Sequence, residues 1–204
     1  MLFDDGGDGV LKLLVTRGAG ARGYAPPATA IPTWSVARHP LPAVVAPLRL
    51  HPCSLRLAVQ PALAGLKHCN RLEQVLARAE ADAAGADEGL LLDADGHVVS
   101  ATAANLFVLR GGAWLTPPVD RCGVAGVCRA QLLPALGASE TRLAFDDVAG
   151  AEALFLCNAV RGILPVASLG SRRWPHAPDL VAGAWRALAQ SHPGFAPAPG
   201  NQGE

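Results

Sequence analysis

Hydrophobic residues along this chain fall mostly into short alternating or continuous blocks, and they widen into helical spacing in only three places. The first block, VLKLLVT at 10–16, predicts a strand, and AIPTWSV at 30–36 predicts its partner. Between them, in RGAGARGYAPPA, Gly18, Gly20 and Gly23 have the GxGxxG spacing of a dinucleotide fingerprint. That fingerprint needs a helix to open within it, so that pyrophosphate meets free N–H groups. Here Pro26 and Pro27 follow at once and no amphipathic helix develops, so the stretch predicts a Gly-rich loop between two strands.

SLRLAVQ at 54–60 alternates as a strand that Pro61 ends. Asn70 followed by Glu73 fits a capping box, in which each side chain satisfies a free N–H at the start of a helix. Leu72, Val75, Leu76, Ala79 and Ala83 then repeat at helical spacing, so Lys67 lies in the loop that enters the helix. Four short strands follow, GLLLDA, HVVSAT, NLFVLR and AWLTP, with hairpin signals at Asp95-Gly96 and Gly111-Gly112. A helix opens after Gly126 and is kinked or ended near Pro134. TRLAFD, ALFLCNAV and GILPVAS read as further strands, and PDLVAGAWRALAQS as a final helix. Hairpins dominate with helices between them, which predicts an α+β fold rather than a doubly wound parallel sheet.

Composition narrows the possibilities. Half of the 204 residues are hydrophobic, enough for a sizeable core, and the chain carries 17 basic and 17 acidic residues. Net neutrality without like-charge blocks argues against nucleic acid or an anionic membrane as partner. MLFDDGGDGV does not read as a signal peptide, and no apolar run approaches the ~18 residues of a membrane span, so a soluble, cytoplasmic protein is expected. Cys53, Cys69, Cys122, Cys128 and Cys157 form no CxxC pair and read as reduced thiols rather than metal ligands. The Pro/Gly-rich ending HPGFAPAPGNQGE predicts a flexible tail over 193–204.

Four stretches in order, GLKHCNRLEQVLARA, DEGLLLDADGHVVSATAANLFVLRGGAWLTPP, CGVAGVCR and LFLCNAVRGILPV, together resemble the fold-type IV pyridoxal-phosphate enzymes. That group includes branched-chain and D-amino-acid aminotransferases and the aminodeoxychorismate lyases. The lyases match best, through RGAGARGY, AGLKHCNRLEQVL and CNAVRGILPV, and the likeness runs from about residue 9 to 190. It implies mixed and antiparallel sheets with flanking helices, pyridoxal 5'-phosphate as cofactor, and a homodimer with no metal. The reaction it implies converts 4-amino-4-deoxychorismate to 4-aminobenzoate and pyruvate, a step towards folate. A branched-chain or D-amino-acid aminotransferase is the alternative within the group, and an inactive fragment or partner subunit the alternative outside it.

The resemblance also implies roles. Lys67 matches the lysine that carries the cofactor as a Schiff base and then acts as base, which partial desolvation would favour by lowering its pKa. The amides of Val127 and Cys128, at a helix N-terminus, match a phosphate site, and Asn158 and Ala159 match a second phosphate-side turn. Arg22 and Tyr24 match residues lining the substrate side, where a guanidinium suits the carboxylates of a chorismate-like molecule.

Two departures stand out. Typical members carry a further stretch ahead of the strand matching LKLLVT, which builds much of the small domain and holds a phosphate-binding arginine. The expected organisation is therefore a remnant of the small domain at 1–48, with most of that domain missing, and a large cofactor-binding domain at 49–192. Apolar surface is expected to lie open where the absent strands would pair. Second, Ser100 stands where the family usually has a glutamate that keeps the pyridine nitrogen protonated. A serine hydroxyl can hydrogen-bond that nitrogen but cannot stabilise its positive charge.

Overall fold

Two strands, β1 (Val10–Thr16) and β2 (Thr33–His39), pair antiparallel in the first of two units, Met1–Ala43, with Val10 opposite His39 and Thr16 opposite Thr33. The computed structural model describes residues 9–43 and 47–195. A Gly-rich loop joins the strands, as expected, and Gly18 closes it: a Cβ there would lie 1.8 Å from the Ile31 carbonyl oxygen, at a φ of +92°. β2 starts later than the apolar pattern suggested because Pro32 has no N–H for the ladder. Alternation and register place Leu11, Leu13, Val15, Trp34 and Val36 on one face, and all five are exposed.

The second unit, Val44–Glu204, holds the remaining elements. In chain order these are β3 (Leu48–Leu57), α1 (Leu72–Ala83), β4 (Glu88–Asp93), β5 (His97–Ala101), β6 (Asn105–Arg110), β7 (Ala113–Thr116), α2 (Val127–Ala135), β8 (Ser139–Glu140), β9 (Leu143–Ala144), α3 (Phe145–Ala149), β10 (Ala153–Asn158), β11 (Gly162–Leu169), β12 (Arg172–Arg173) and α4 (Ala177–Ser191). One mixed sheet runs β8-β7-β6-β10-β11-β3-β4-β5-β9, with β12 on β11. The hairpins β4–β5, β6–β7 and β10–β11 are antiparallel, whereas β3 lies parallel to both β4 and β11. The α+β expectation holds. Pro193–Phe195 forms a 3-10 turn, and the rest of the expected tail, 196–204, lies outside the described residues. No helix among the described residues is long and apolar enough to cross a membrane.

Three local expectations are corrected. The strand predicted at 54–60 spans Leu48–Leu57, because residues 48–50 pair with β11. It ends at Leu57 because the next N–H, of Ala58, donates to Glu73 Oε1 at 2.8 Å. That bond also removes the capping box: α1 has Arg71 as N-cap with no side-chain cap, and the Glu73 carboxylate is turned to β3. TRLAFD yields only the two-residue β9, since Asp147 Oδ2 accepts from the Ala144 N–H at 2.9 Å and opens α3.

The helix expected from the apolar spacing forms, but those apolar residues do not make its buried face. Leu72, Val75 and Leu76 are exposed, and the buried positions are Ala77 and Ala81. The helix approaches the sheet too closely for leucine. The Cys53 thiol donates to the Ala77 carbonyl at 3.5 Å, and a Cβ on Gly89 would lie 2.7 Å from Cys53 Sγ. Glu80, on the same side, staples α1 to β3: it accepts from the Ser54 N–H at 2.6 Å and Ser54 Oγ at 3.0 Å, and meets His51 Nε2 at 3.2 Å.

The Ser54 N–H above all, with His51 and Ser54 Oγ, holds the Glu80 carboxyl below its ordinary value of 4.5 against the opposing effect of burial. A depressed folded pKa stabilises the fold above the unfolded value, and the contribution disappears as pH falls through the folded value. Glu80→Gln is therefore expected to cost about 1–2 kcal/mol at neutral pH, by urea unfolding, with the gap to wild type closing below the ordinary carboxylate range. A gap that does not change with pH would contradict this.

Candidate active site

Lys67 lies in the loop that enters α1, and its neighbours fix where that loop runs. Gly65, at a φ of +79°, donates to the Gly123 carbonyl at 3.1 Å and accepts from the Ala125 N–H at 3.0 Å, forming a parallel bridge with Val124. Upstream, the Gln60 N–H donates to Arg121 O at 2.9 Å. The run leading to Lys67 therefore lies alongside the run that enters α2. Lys67 itself is exposed, not partly desolvated as expected.

Asn105 links this loop to α2. Its Nδ2 donates to the Val124 carbonyl at 2.9 Å, and a Cβ on Gly126 would fall 2.1 Å from its Oδ1. Glycine is thus required here by close approach, since its φ of −67° would suit any residue. Gly126 is the N-cap of α2 and offers no side-chain acceptor, and the Ala130 N–H makes the bond back to Gly126. The amides of Val127 and Cys128 therefore stand in the first turn without an intrahelical partner, where the helix dipole favours an anion. Behind them Cys128 and Cys157 are both buried, and the neighbouring Cys128 thiol, together with burial, pushes the Cys157 thiol well up.

β10 brings in the second turn. Cys157 pairs with Asn105, so Asn158 follows directly beside it. The Asn158 side chain accepts from the Val160 and Arg161 N–H groups at 3.0 and 2.8 Å and donates to Ala103 O at 3.2 Å, leaving the Ala159 amide as the turn's remaining donor. Ala103 belongs to the tight connection between β5 and β6, closed by Ala101 N–H to Ala104 O at 2.9 Å. Ser100, nearly buried and opposite Leu91, immediately precedes that connection. Hydrogen bonds and strand pairing thus tie the run at Gly65, the start of α2 and the Asn158 turn to Asn105, with Lys67 two residues after Gly65 and Ser100 at the end of β5. Arg22 and Tyr24 lie in the first unit, both exposed in the loop between β1 and β2.

This donor set suits a phosphorylated aldehyde. The amides of α2's first turn and of Ala159 can receive a dianion, Lys67 offers an amine for a carbonyl carbon, and Ser100 a hydroxyl for a ring nitrogen. Beside the Lys67 loop lies a cavity of about 340 Å³, lined by Leu57, Gln60, His68, Arg71, Gln74 and Cys122 among others. Burial, with the Asp93 carboxylate adding, pushes the Cys122 thiol up to about 11, so it stays protonated near neutral pH. Sequence reasoning passed over Asn105, Gly126 and Arg71 as site residues. For Gly126 a signal was present, a glycine where a helix opens next to the phosphate motif.

Comparison with known proteins adds to this geometry. The sequence profile of the family described as amino-transferase class IV matches residues 2–169. An aminodeoxychorismate lyase of Vibrio harveyi is 34% identical over 171 residues, which cover 79% of this chain and 63% of the relative. A crystal structure of 4-amino-4-deoxychorismate lyase from Pseudomonas aeruginosa superposes with a TM-score of 0.84 at 43% identity, covering 92% of this chain and 73% of that one. An aminotransferase from Brucella abortus, bound to the cofactor PLP, shares the fold with a TM-score of 0.74 at 23% identity, over 89% and 67% of the two chains. The chain thus spans a little under two thirds of the length of the Vibrio relative.

Proposed function

The chain belongs to the class IV aminotransferase family, with its fold-type IV architecture, and from that premise we propose that it is a pyridoxal-phosphate-dependent lyase that converts 4-amino-4-deoxychorismate to 4-aminobenzoate and pyruvate. The observation that carries this reading is the tie from the Lys67 loop through Gly65 and Val124 to Asn105 and the start of α2. It supports a reading in which the Lys67 amine and the N–H groups at the start of α2 serve one ligand, together with Ser100 and the Asn158 turn. The likeness to the Pseudomonas lyase supports the choice of reaction.

In this reading Lys67 would hold the cofactor, and its Nζ would take the proton from the amine-bearing carbon of the substrate and return one to the methylene that leaves as pyruvate. The amides of Val127, Cys128 and Ala159, with Asn158 shaping the second turn, would hold the cofactor's phosphate, and Ser100 Oγ would offer a hydrogen bond to its ring nitrogen. When bound, pyridoxal phosphate supplies a sink for the electron pair left at that carbon. Arg22 and Tyr24 bind the substrate, the guanidinium taking a carboxylate. The active form is a homodimer, a reading supported by the open leucine and valine side chains of α1. The test is direct: the chain, loaded with cofactor and given aminodeoxychorismate, is expected to release 4-aminobenzoate and pyruvate in equal amounts. Amino transfer to a 2-oxo acid without lyase products would favour the aminotransferase reading instead.

Ser100 separates the two reactions. Aromatisation of the product ring drives the lyase step, whereas amino transfer depends throughout on a protonated ring nitrogen. Ser100→Glu is expected to raise transamination at least several-fold more than lyase turnover, about 1 kcal/mol or more of differential stabilisation. Equal gains in both rates would contradict this assignment of Ser100.

A further inference from the structure

Lys67 is flanked by two carbonyl groups, those of Leu66 and His68, and a single side chain holds both. Arg71 Nη2 donates to Leu66 O at 2.5 Å and Arg71 Nε to His68 O at 3.1 Å. These nitrogens lie on one edge of the planar guanidinium, whose fixed fork suits two acceptors at once. An ammonium group on a flexible stem cannot reproduce that geometry.

Arg71 is also well anchored. It is the N-cap of α1, its carbonyl accepting from the Val75 N–H at 3.1 Å. α1 in turn is stapled to β3 by Glu73, through the Ala58 N–H, and by Glu80, through Ser54. On the other side, Gly65 is fixed to Gly123 and Ala125. The backbone at Lys67 is thus pinned from both directions while its side chain stays exposed.

We propose that Arg71 is a positioning residue: by clasping the carbonyls on either side of Lys67, it fixes the direction in which the lysine amine leaves the loop. This rests on the reading of Lys67 as the lysine that carries the cofactor. A reacting amine displaced by a fraction of its reach loses much of the advantage of pre-orientation. The clasp therefore acts on covalent attachment without Arg71 touching the cofactor.

The test compares wild type, Arg71→Gln and Arg71→Lys. Hydrogen exchange is first measured in the cofactor-free chains. Each chain is then given limiting pyridoxal phosphate across a range of pH, reduced with borohydride and mapped by peptide. Arg71→Gln is expected to speed exchange across residues 66–70 while the buried face of α1 at Ala77 and Ala81 stays protected. It is also expected to lower the yield of label on Lys67 about three- to tenfold and to shift the pH at which label appears. Arg71→Lys should recover only part of that yield. A variant labelled on Lys67 to the same extent and at the same pH as wild type would overturn the clasp and leave the Lys67 reading standing. A wild-type chain labelled elsewhere would overturn both.

Discussion

If the chain is the proposed lyase, Lys67→Ala is expected to remove that activity, with turnover falling by at least about 10³-fold, because in that reading one side chain both anchors the cofactor and moves the proton. Thermal stability should change by no more than about 0.5 kcal/mol, since the lysine is exposed. Assay of 4-aminobenzoate release, alongside a melting curve, checks both halves. A variant that kept a tenth of the wild-type rate would mean that another group is the base. Loss of folding would mean that Lys67 has a structural role that its exposure does not suggest.

Gly126→Ala is the second large effect. Its new Cβ would fall 2.1 Å from Asn105 Oδ1. Asn105 would have to give up its bond to Val124 O, or the start of α2 would have to move. Either change loosens the network that ties the Lys67 loop to the anion-binding turn. The expected cost is about 1–3 kcal/mol in stability, as for an overpacked core position. Cofactor affinity should fall by at least about tenfold, since helix-terminus interactions with an anion reach roughly 2 kcal/mol in partly buried settings. Gly183, inside α4, is the control. A Cβ there would meet nothing within 4 Å, so Gly183→Ala should be neutral or stabilising by up to about 1 kcal/mol. Equal effects at the two glycines, by denaturant titration and cofactor binding, would contradict the close approach at Asn105.

Much of this architecture was legible along the chain. Alternation with Gly96, Gly111 and Gly112 at the turns located β4 to β7, and all three glycines adopt positive φ. The Gly-rich stretch also forms the loop expected of it, with no helix between β1 and β2. The face of α1 was not legible. Periodicity counts apolar residues, whereas the contact with the sheet is made by Ala77, Ala81 and two glutamates that bond to β3. The start of β3 was hidden for a related reason: Arg49, His51 and Pro52 interrupt its pattern, and pairing with β4 and β11 overrides them.

The site divides along the same line. Lys67, Val127, Cys128 and Asn158 are named by the resemblance of the stretches that carry them to the family, since a lysine, a helix start or a turn alone is ordinary. What joins them is not named by it. The Gly65–Val124 bridge, the hold of Asn105 on Val124 and the clasp of Arg71 are contacts made in three dimensions, and no spacing rule foretells them. The exposure of Lys67 was likewise unreadable, because it depends on what the rest of the unit leaves uncovered.

The central claim is that Lys67 carries the cofactor. The most direct measurement is borohydride trapping of pyridoxal phosphate on the purified wild-type chain, followed by peptide mapping of the modified lysine. The account predicts stoichiometric label on the peptide containing Lys67, even with the other lysine, Lys12, available to react. Label on Lys12, or none at all, would contradict it and favour the reading of the chain as a partner subunit or inactive fragment.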